Sequence, residues 1–391
     1  MSMLSELESY QQLYQTPEFW KQLEECQGNE LSRQNQLRKQ FPVEVVRAGL
    51  LIAQLRELAA QKFTHADQMW MTRQTLEQAT QETIAQHKAK RFANLADQRV
   101  YDLCSGLGGD ALAIARSQQV ECYDINPLVS QCLQWNSQVY GVESQLGTHL
   151  LDITTESWNE KVVQIDPDRR DANGNRSRRL EGYTPNLEWL QELVLTARCG
   201  ALKLGPASNF GGKFQQVEVE LISLGGECKE ATVWFGELAN TETPWRATSL
   251  PSGETIAGDP LFSRAPIGPV QRYVYDPDPA LVRSGLIDQL ACEQGATRLD
   301  EADEYLTSDE IRNSAFLTCF EVLEVLPNNE KQLRQYFRKN PVHEIEIKCR
   351  HVKVNPDLVR KKLPRTGEGS RVVIFARVEG KSQILIARRM T

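Results

Sequence analysis

The feature that most constrains the fold is a glycine-rich stretch between a strand-like and a helix-like segment, VYDLCSGLGGDALAIA at residues 100–115. Glycines allow a sharp turn and let a ligand approach bare backbone amides at the start of a helix. The segment therefore predicts a strand, a ligand-binding turn and a helix. Gly106, Gly108 and Ala111 also fit, loosely, the G-x-G-x-x-A pattern of dinucleotide-binding proteins.

Short apolar runs alternate with helix-like segments after residue 99. The strand-like runs are RVYDLC, VECYDI, SQLGTHLLDI, KVVQIDP and GALKLGP. This alternation predicts a parallel sheet with helices on both faces. The runs QVEVELISLG, CKEATVWFGEL and WRATSL follow without long helices between them, so we expect antiparallel strands that finish the sheet. Residues 251–270 are rich in turn formers and predict a linker.

The sequence before and after this region predicts two further units. Residues 1–95 are rich in Glu and Gln, with apolar residues at three- and four-residue steps, and predict helices. The stretch TLEQATQETIAQHKAKRFA predicts the last of these helices, with Thr80 as its N-cap. After residue 273 the segments KQLRQYFRKN, HEIEIKCR, NPDLVRKKL, RVVIFARVEG and KSQILIARR predict a small α/β unit that ends in a hairpin.

Acidic residues follow four successive predicted strands. They are Asp102, Asp124, Asp152 and Asp166. The carboxyl ends of parallel strands form the ligand-binding edge of such sheets. Asp102 faces a cation such as an amino group or sulfonium better than a pyrophosphate. Asp124, 22 residues later, is placed to bind both hydroxyls of a ribose, and Asp152 to accept a hydrogen bond from an adenine amine.

This set of residues resembles the class I S-adenosylmethionine-dependent methyltransferases over residues 96–260. The resemblance implies a Rossmann-like α/β sheet and S-adenosylmethionine as cofactor. It implies that the loop from Asp102 to Asp110 holds the methionine part and that Asp124 binds the ribose. The cofactor-binding residues expected on this basis are Asp102, Ser105, Gly106, Gly108, Asp110, Asp124, Ile125, Asp152 and Thr80.

A closer resemblance extends upstream, because MWMTRQTLEQATQETIAQHKAKRFA before DLCSGLGG and YDINP looks like trimethylguanosine synthase-type enzymes. Those enzymes methylate the exocyclic amine of guanine in RNA caps. The comparison implies that Thr80 and its neighbours close over the cofactor. Where those enzymes carry Pro-Pro-Trp, with an aromatic ring that stacks on the base, this chain has Pro167-Asp168-Arg169. The departure argues against a cap guanine as the substrate.

The full chain looks most like bacterial class I methyltransferases with an N-terminal helical region and a small C-terminal α/β domain that is THUMP-like. The resemblance rests on IDPDRR, LGPASNF, ISLGGECKEATVWFGEL, YVYDPDPALVRSGLID and the terminal module. It implies a helical region at 1–95, a methyltransferase domain at 96–265, a ferredoxin-like unit at 266–311 and a THUMP-like domain at 312–391. THUMP domains bind RNA in tRNA-modifying enzymes.

The loop after the fourth strand, Asp166-Pro167-Asp168-Arg169-Arg170, supplies the expected catalytic and substrate-binding residues. Methyl transfer needs a nucleophile in line with the methyl carbon at about 3 Å. By resemblance to N-methyltransferases, Asp166 and the carbonyl of Pro167 hold an acceptor amine, with Asp168 as a further acceptor. Arginines can clamp a phosphate or carboxylate bidentately, or can form salt bridges that fix the loop. The expected substrate-binding residues are Arg169, Arg170, Arg178 and Arg179, and Tyr183 and Trp189 either stack on a base or belong to the core.

Charge is unevenly distributed along the 391 residues, whose net charge is −7. Residues 331–391 hold 16 Lys and Arg against 5 Asp and Glu, a net charge of +11, whereas residues 1–330 hold 29 against 47, a net charge of −18. A basic C-terminal module on an acidic body predicts a docking surface for a polyanion, with RNA as the expected partner. Lysines that are simply solvated on a small α/β domain are the alternative.

Composition excludes several other classes. Nine cysteines without a C-x-x-C pair, and five scattered histidines, argue against disulfides and a metal site, and predict reduced, mostly buried thiols. No apolar run approaches the ~18 residues of a membrane span, and the acidic start is unlike a signal peptide, so we expect a cytoplasmic protein without a membrane partner.

The sequence therefore predicts a methyltransferase that acts on a nucleobase amine in structured RNA. Two alternatives stay open: a methyltransferase for a protein or small molecule, and a non-catalytic protein that binds S-adenosylmethionine and RNA. An NAD-linked oxidoreductase is disfavoured by Asp102 and by the Asp166-Pro167 strand end.

Overall fold

The structure is a computed structural model that describes residues 5–95, 99–169, 177–364 and 366–390. The chain forms two compact units. The first holds residues 1–215 and 235–238, and the second holds residues 216–234 and 239–391. Each unit is described by itself.

The first unit begins with helices, as predicted. They are α1 (Glu6–Tyr14), α2 (Glu18–Glu25), α3 (Glu30–Leu37), α4 (Val43–Ala59), α5 (Arg73–Gln78) and α6 (Glu82–Phe92). Ser5 and Glu8 form a capping box that satisfies free amides at the start of α1. A Cβ at Gly49 would lie 2.2 Å from the ring of Phe19, so glycine on α4 makes room for this buried side chain.

The last predicted helix is two helices rather than one. The backbone leaves the helical path between Gln78 and Glu82, and Gln81, not Thr80, is the N-cap of α6, without a side-chain hydrogen bond. The prediction that Thr80 is the N-cap was therefore wrong. Its hydroxyl donates instead to Oδ2 of Asp110 at 2.9 Å, a contact with a residue 30 positions later that no local pattern indicates.

A parallel sheet forms the rest of the first unit. Its strands are β1 (Arg99–Leu103), β2 (Gln119–Asp124), β3 (Leu146–Leu150), β4 (Val162–Ile165) and β5 (Cys199–Leu204), with α7 (Gly109–Ile114), α8 (Pro127–Val139) and α9 (Leu187–Thr196) between them. The strands lie in the order β3-β2-β1-β4-β5, and all four pairs are parallel. Strand order reverses between β1 and β4, which opens a crevice at their carboxyl ends.

The N-terminal helices share one core with α8. Trp70 and Asn136 exchange two hydrogen bonds, from the Trp70 amide to Oδ1 at 2.8 Å and from Nδ2 to the Trp70 carbonyl at 2.9 Å. The rings of Tyr14 and Trp135 stack with centroids 4.5 Å apart. Thus the segment before the sheet is packed into the same unit as the sheet.

The second unit starts with β6 (Val217–Leu224), β7 (Glu227–Gly236), β8 (Trp245–Leu250) and β9 (Glu254–Gly258), except that the last two residues of β7 are counted with the first unit. Strands β6 and β8 pair in parallel, so the prediction that these strands are all antiparallel was wrong; β8 and β9 are antiparallel. Strand β9 lies in the segment predicted as a linker. It pairs with β8 across a turn in which Gly253 has φ +79°, a conformation that favours glycine.

A seven-stranded sheet completes this unit, in the order β11-β12-β10-β13-β16-β15-β14. The strands are β10 (Tyr273–Pro277), β11 (Thr297–Arg298), β12 (Leu306–Ser308), β13 (Leu317–Pro327), β14 (Glu344–Cys349), β15 (Ser370–Val378) and β16 (Lys381–Arg389). The helices are α10 (Pro279–Ser284), α11 (Ile287–Gln294), α12 (Glu330–Lys339) and α13 (Pro356–Lys362). Apolar side chains of α12 and α13 pack on one face of the sheet with those of β15 and β16.

Strands on both sides of the predicted boundary at residues 311 and 312 belong to this one sheet, because β10 pairs with β13. Asp276 on β10 also binds Arg350 and Lys348, each at 2.7 Å. Residues 239–265, which the sequence assigned to the methyltransferase domain, fall within the second compact unit. The domain boundaries given by the sequence remain a prediction.

All nine cysteines are unpaired thiols; three are buried, five are half-buried and Cys292 is exposed. Within the described ranges, no helix combines the length and the apolar composition that crossing a membrane requires. The same ranges contain no group of three or more His, Cys, Asp or Glu side chains arranged to hold a metal ion.

Candidate active site

A cavity of about 530 Å³ lies at the carboxyl ends of β1, β2 and β4, within the first unit. Its size suits a small-molecule ligand. Of the predicted site residues, the cavity wall contains Asp102, Ser105, Gly106, Asp110, Asp124, Ile125, Asp152, Asp166, Pro167, Asp168, Arg169 and Thr80. The alternation of strands and helices therefore brought acids from four separate strand ends to one place.

The glycine turn forms the floor of the cavity. Gly106 has φ +54°, and the nearest atom to a Cβ built on it is 3.9 Å away, so its backbone is open to the cavity. Gly108 does not line the cavity; its φ of +87°, with Leu133 2.1 Å from a built Cβ, requires glycine for packing. A Cβ at Gly109 would lie 2.8 Å from the carbonyl oxygen of Thr80, so the turn and the segment before α6 are in close contact.

Asp124 is fixed at the end of β2 by backbone amides. Oδ2 accepts from the Gly106 amide at 3.1 Å and Oδ1 accepts from the Asn126 amide at 2.9 Å. Burial raises the pKa of Asp124, although these amides act in the opposite direction. Each oxygen retains a lone pair that can accept a ligand hydroxyl. The next residue, Ile125, is 73% exposed and lines the cavity as an apolar surface.

Two buried acids lie deeper in the wall. Burial, together with the charges of Asp110 and Asp166, raises the pKa of Asp102 well above its usual range. Burial would also raise the pKa of Asp110, but the ammonium groups of Lys88 and Lys203 and hydrogen bonds from Lys88 and Thr80 bring it below its usual value. Asp110 therefore has a buried cationic partner of its own, Lys88 at 3.0 Å.

Asp152 is more exposed than the other three strand-end acids. Its Oδ1 accepts from the amide and hydroxyl of Thr154, at 3.0 and 2.7 Å, and caps the short 3₁₀ turn at residues 153–155. These hydrogen bonds lower the pKa of Asp152. It lines the cavity with its neighbours Leu151 and Ile153, so one carboxylate oxygen, Oδ2, is available to a ligand.

The loop after β4 lies at the other side of the cavity. Asp166 Oδ2 accepts from the buried ammonium of Lys203 at 2.5 Å. Asp168 Oδ1 accepts from Nε2 of Gln78 at 2.8 Å, and the backbones of Asp168 and Thr184 form an isolated antiparallel bridge. Pro167 is buried between these two acids. Contacts with two other segments thus hold the loop.

The predicted arginines fall in different places. Arg169 lines the cavity, with its Nη1 2.7 Å from a Cβ built on Gly205. Arg178 and Arg179 are exposed and are not in the cavity wall. Arg170 lies outside the described residues.

The two candidate stacking aromatics do not line the cavity. Tyr183 is buried, and its hydroxyl lies 2.6 Å from Oγ of Ser208, which agrees with the core alternative. Trp189 on α9 is half-buried and does not line the cavity.

Three side chains of the site were missed by sequence reasoning: Lys88, Lys203 and Gln78. A lysine inside an otherwise apolar strand, GALKLGP, was the available signal for Lys203, because an unpaired charge is rarely buried. Lys88 and Gln78 give no such signal, since each lies in a polar helical sequence.

An open parallel sheet with a glycine turn after β1 and an acid after β2 defines the class of α/β proteins that bind a nucleoside-containing cofactor at the strand ends. Residues 97–171 match the family described as RNA cap guanine-N2 methyltransferase. Residues 317–389 match the family described as THUMP domain-like.

Two relatives cover most of the chain. They are uncharacterized S-adenosylmethionine-dependent methyltransferases from two strains of Mycobacterium tuberculosis, each 33% identical over 315 residues, 79% of this chain and 85% of theirs. A crystal structure described as a "putative methyltransferase" from Porphyromonas gingivalis W83 has the same fold, with a TM-score of 0.72, 20% identity and coverage of 90% of this chain and 92% of that one. The chain belongs to the class I S-adenosylmethionine-dependent methyltransferases with a THUMP-like C-terminal region.

The predicted family, fold class, enzyme class and cofactor are thereby confirmed. The cavity also suits the cofactor on physical grounds. S-adenosylmethionine carries positive charge on its sulfonium and ammonium groups. The acids Asp102 and Asp166 line the same cavity as the glycine turn and can bind such charges. The open backbone at Gly106 provides the close approach that a bulky ligand needs.

Proposed function

We propose that the protein transfers the methyl group of S-adenosylmethionine to an exocyclic amine of a nucleobase in structured RNA. One observation carries the proposal: the glycine turn after β1 and the Asp166-Pro167-Asp168 loop after β4 line the same cavity. The match of residues 97–171 to an RNA cap methyltransferase family supports an amine acceptor. The THUMP-like match supports RNA as its carrier.

The cofactor-binding side of the cavity is assigned from its hydrogen-bonding groups. Backbone amides of the glycine turn and Asp102 would hold the methionine carboxylate and ammonium, respectively. Asp124 would accept hydrogen bonds from the ribose hydroxyls. Asp152 would accept one from the adenine amine, with Ile125 against the ring.

The acceptor side is assigned from Asp166 and Pro167. S-adenosylmethionine supplies an electrophilic methyl group. Asp166 Oδ1 and the Pro167 carbonyl would accept N–H hydrogen bonds from the amine, which directs its lone pair towards the methyl carbon. The amine nitrogen supplies the electron pair of the new N–C bond, the electron pair of the broken bond stays on sulfur, and the surplus proton leaves the nitrogen for water.

Arg169 would bind the substrate, a role supported by its place in the cavity wall beside this loop. Its planar guanidinium can bind a phosphate bidentately or stack on a base, whereas a tryptophan can stack but has no charge to pair with a phosphate. The exposed Arg178 and Arg179 would contact the RNA backbone outside the cavity.

Much of the basic charge in the C-terminal region is balanced by nearby acids. Glu330 binds Arg334 and Lys362, Glu346 binds Arg389, and Asp276 binds Lys348 and Arg350. These cations already have acidic partners, so cations without one are the better candidates to bind phosphates.

Four cations near the amino ends of β14 and β15 form what we call the basic edge: Arg338, Lys339, Lys361 and Arg371. The segment after Lys339 lies beside residues 366–369, since the His343 amide donates to the Gly369 carbonyl at 3.0 Å, and Arg371 is in register with Ile345. Among the described residues, none of the four forms an ion pair, and two acids, Glu344 and Glu368, share the edge. We propose this edge as the RNA-docking surface.

Methyl transfer from radiolabelled S-adenosylmethionine tests the proposal. The acceptors are total RNA from a strain lacking the protein and from its parent. We expect label only in RNA from the deletion strain, and loss of label with Asp166→Ala. No label in either RNA, with cofactor binding confirmed, would contradict the RNA proposal and favour a protein or small-molecule acceptor.

The docking surface is tested by charge reversal. The double variant Arg338→Glu with Lys339→Glu should bind the labelled RNA more weakly. The slope of log Kd against log salt concentration should fall by about one for each phosphate contact that is lost. Lys353→Glu with Lys381→Glu is the matched control, because both lysines are exposed and lie outside the basic edge. An equal loss in both double variants would contradict docking at this edge.

A further inference from the structure

A buried lysine to which the proposed function assigns no role contacts Asp166 on the acceptor side of the cavity. Lys203 is 7% exposed. Its Nζ donates to Asp166 Oδ2 at 2.5 Å and to the carbonyl of Gln78 at 3.1 Å. Burying an ammonium costs several kcal/mol unless partners offset it, so both contacts are needed to keep Lys203 in place.

The strand register explains how Lys203 reaches Asp166. Ile165, the last residue of β4, is opposite Leu202 on β5. The next residues along the chain are Asp166, directly after β4, and Lys203, within β5. Neighbouring residues in register on parallel strands point to the same face. The pairing is therefore built into the sheet, and it brings the lysine to the strand end where the acceptor loop begins.

Gln78 joins this pair to the second acid of the loop. Its carbonyl accepts from Lys203, and its side-chain amide donates to Asp168 Oδ1 at 2.8 Å. Gln78 is the last residue of α5 and lies within the covering segment, which we define as residues 72–80 and which lines the cavity. Lys203 thus connects Asp166, the covering segment and, through Gln78, Asp168.

We infer that Lys203 is a positioning residue for methyl transfer, an inference that rests on the proposed amine acceptor. Its ammonium holds Oδ2 of Asp166 and leaves Oδ1 directed at the acceptor N–H. By holding Gln78 it also fixes Asp168 and closes the covering segment over the cavity. Lys203 does not touch the reacting atoms in this scheme and exchanges no proton with the substrate.

A purely structural role for Lys203 would be to satisfy carbonyls at the end of α5. Lys62 already has that role, since its Nζ donates to the carbonyls of Leu76 at 2.7 Å and Ala79 at 3.4 Å. Lys62 is outside the cavity wall and does not contact Asp166. Lys62→Met is therefore a matched control that removes a cap of the same helix without altering the acceptor loop.

The kinetic test uses the full chain with radiolabelled S-adenosylmethionine and RNA from the deletion strain. For Lys203→Met, at saturating S-adenosylmethionine, we expect kcat to fall by about 100-fold because the acceptor is misplaced, while KM for RNA changes less than about threefold. Lys203→Arg should recover at least about tenfold of the loss. Lys62→Met should keep kcat within about threefold of the unmodified protein. Lys203→Gln, which keeps a hydrogen-bond donor without charge, replaces Lys203→Met if the latter fails to fold.

A second measurement separates this inference from the proposed function. Hydrogen exchange with S-adenosylmethionine and no RNA should be faster for Lys203→Met in peptides covering both residues 72–80 and residues 162–169. Lys62→Met should affect the first peptide only. If the unmodified protein methylates no RNA, the proposed function fails. The exchange data still test whether Lys203 connects residues 72–80 to the acceptor loop. If it methylates RNA and Lys203→Met has an unchanged kcat, or if the second peptide is unaffected, the inference is overturned.

Discussion

The ammonium of Lys88 on α6 lies 3.0 Å from Oδ2 of Asp110 on α7, and both side chains are buried. The same carboxylate oxygen accepts from the hydroxyl of Thr80 at 2.9 Å. Asp110 thus connects the first turn of the helix after the glycine turn to the helical region that precedes the sheet. Asp110 lines the cavity and also forms buried contacts that are expected to stabilise the unit.

Lys88→Met is expected to lower the free energy of unfolding by about 3–5 kcal/mol, because it leaves the charge of Asp110 buried without its cation. The double variant Lys88→Met with Asp110→Asn should recover most of that loss, since it removes both charges. Urea denaturation of the unmodified protein, both single variants and the double variant measures the coupling. Additive losses in the double variant would contradict the pairing.

Gly109→Ala should lower the free energy of unfolding by about 1–3 kcal/mol, because its Cβ would lie 2.8 Å from the Thr80 carbonyl and force the backbone apart. Gly211→Ala is the control, since a Cβ there meets no atom within 4 Å and its φ is not positive. Thermal denaturation of both variants tests the contact. Equal melting temperatures would mean that Thr80 and Gly109 are not packed together.

Asp124→Ala is expected to weaken binding of S-adenosylmethionine by roughly 10- to 150-fold, the equivalent of about 1.5–3 kcal/mol for hydrogen bonds to a charged group. Asp152→Ala should change Kd by less than about fivefold, because that carboxylate is exposed and already bound to Thr154. Isothermal titration calorimetry measures both. A larger loss for Asp152→Ala would show that the ribose had been assigned to the wrong acid.

The raised pKa of Asp102 predicts that cofactor affinity depends on pH. Burial and the charges of Asp110 and Asp166 keep the Asp102 carboxyl protonated above its usual range, against the opposing charges of Lys88 and Lys203. A bound cation favours the ionised carboxylate, so affinity should increase as pH rises through the raised pKa and Asp102 should release a proton on binding.

Calorimetry from about pH 5 to pH 8, in buffers of different ionisation enthalpy, detects that proton. Asp102→Asn should bind with lower affinity and a flatter pH dependence. An unchanged pH profile in this variant would contradict the assignment to Asp102 and favour Asp124, whose pKa is also raised by burial.

The sheet and the cofactor edge of the cavity follow from short-range sequence patterns. Apolar runs that alternate with helices, with an acid after each of four runs, predict one shared edge for Asp102, Asp124, Asp152 and Asp166, and all four line one cavity. This succeeds because parallel strands must bring their carboxyl ends to the same edge. Gly106 and Gly108 both lie in the turn after β1 with positive φ angles, which favour glycine. Gly106 lines the cavity, whereas Gly108 makes room for Leu133.

The remaining parts depend on contacts between distant segments. At the break before α6, Thr80 binds Asp110, and β9 pairs with β8. Both contacts depend on the tertiary structure and not on the local sequence pattern. Gln78 and Lys203 are separated by 125 residues in sequence. Local sequence patterns depend only on neighbouring residues. They therefore predict the positions of Asp166 and Asp168 but not of Lys203 and Gln78, which bind them.

Contacts between the N-terminal region and α8 limit which segments relatives can exchange. Trp70 is hydrogen-bonded to Asn136, and Tyr14 stacks on Trp135. A fragment starting at Arg99 would leave the indole of Trp135 without its cover and would be prone to aggregate. A chimera that exchanges the sheet alone would join two half-cores that did not evolve together. Because β1 pairs with β4 and β4 with β5, the helical region and all five parallel strands must be inherited, or transplanted, as one block.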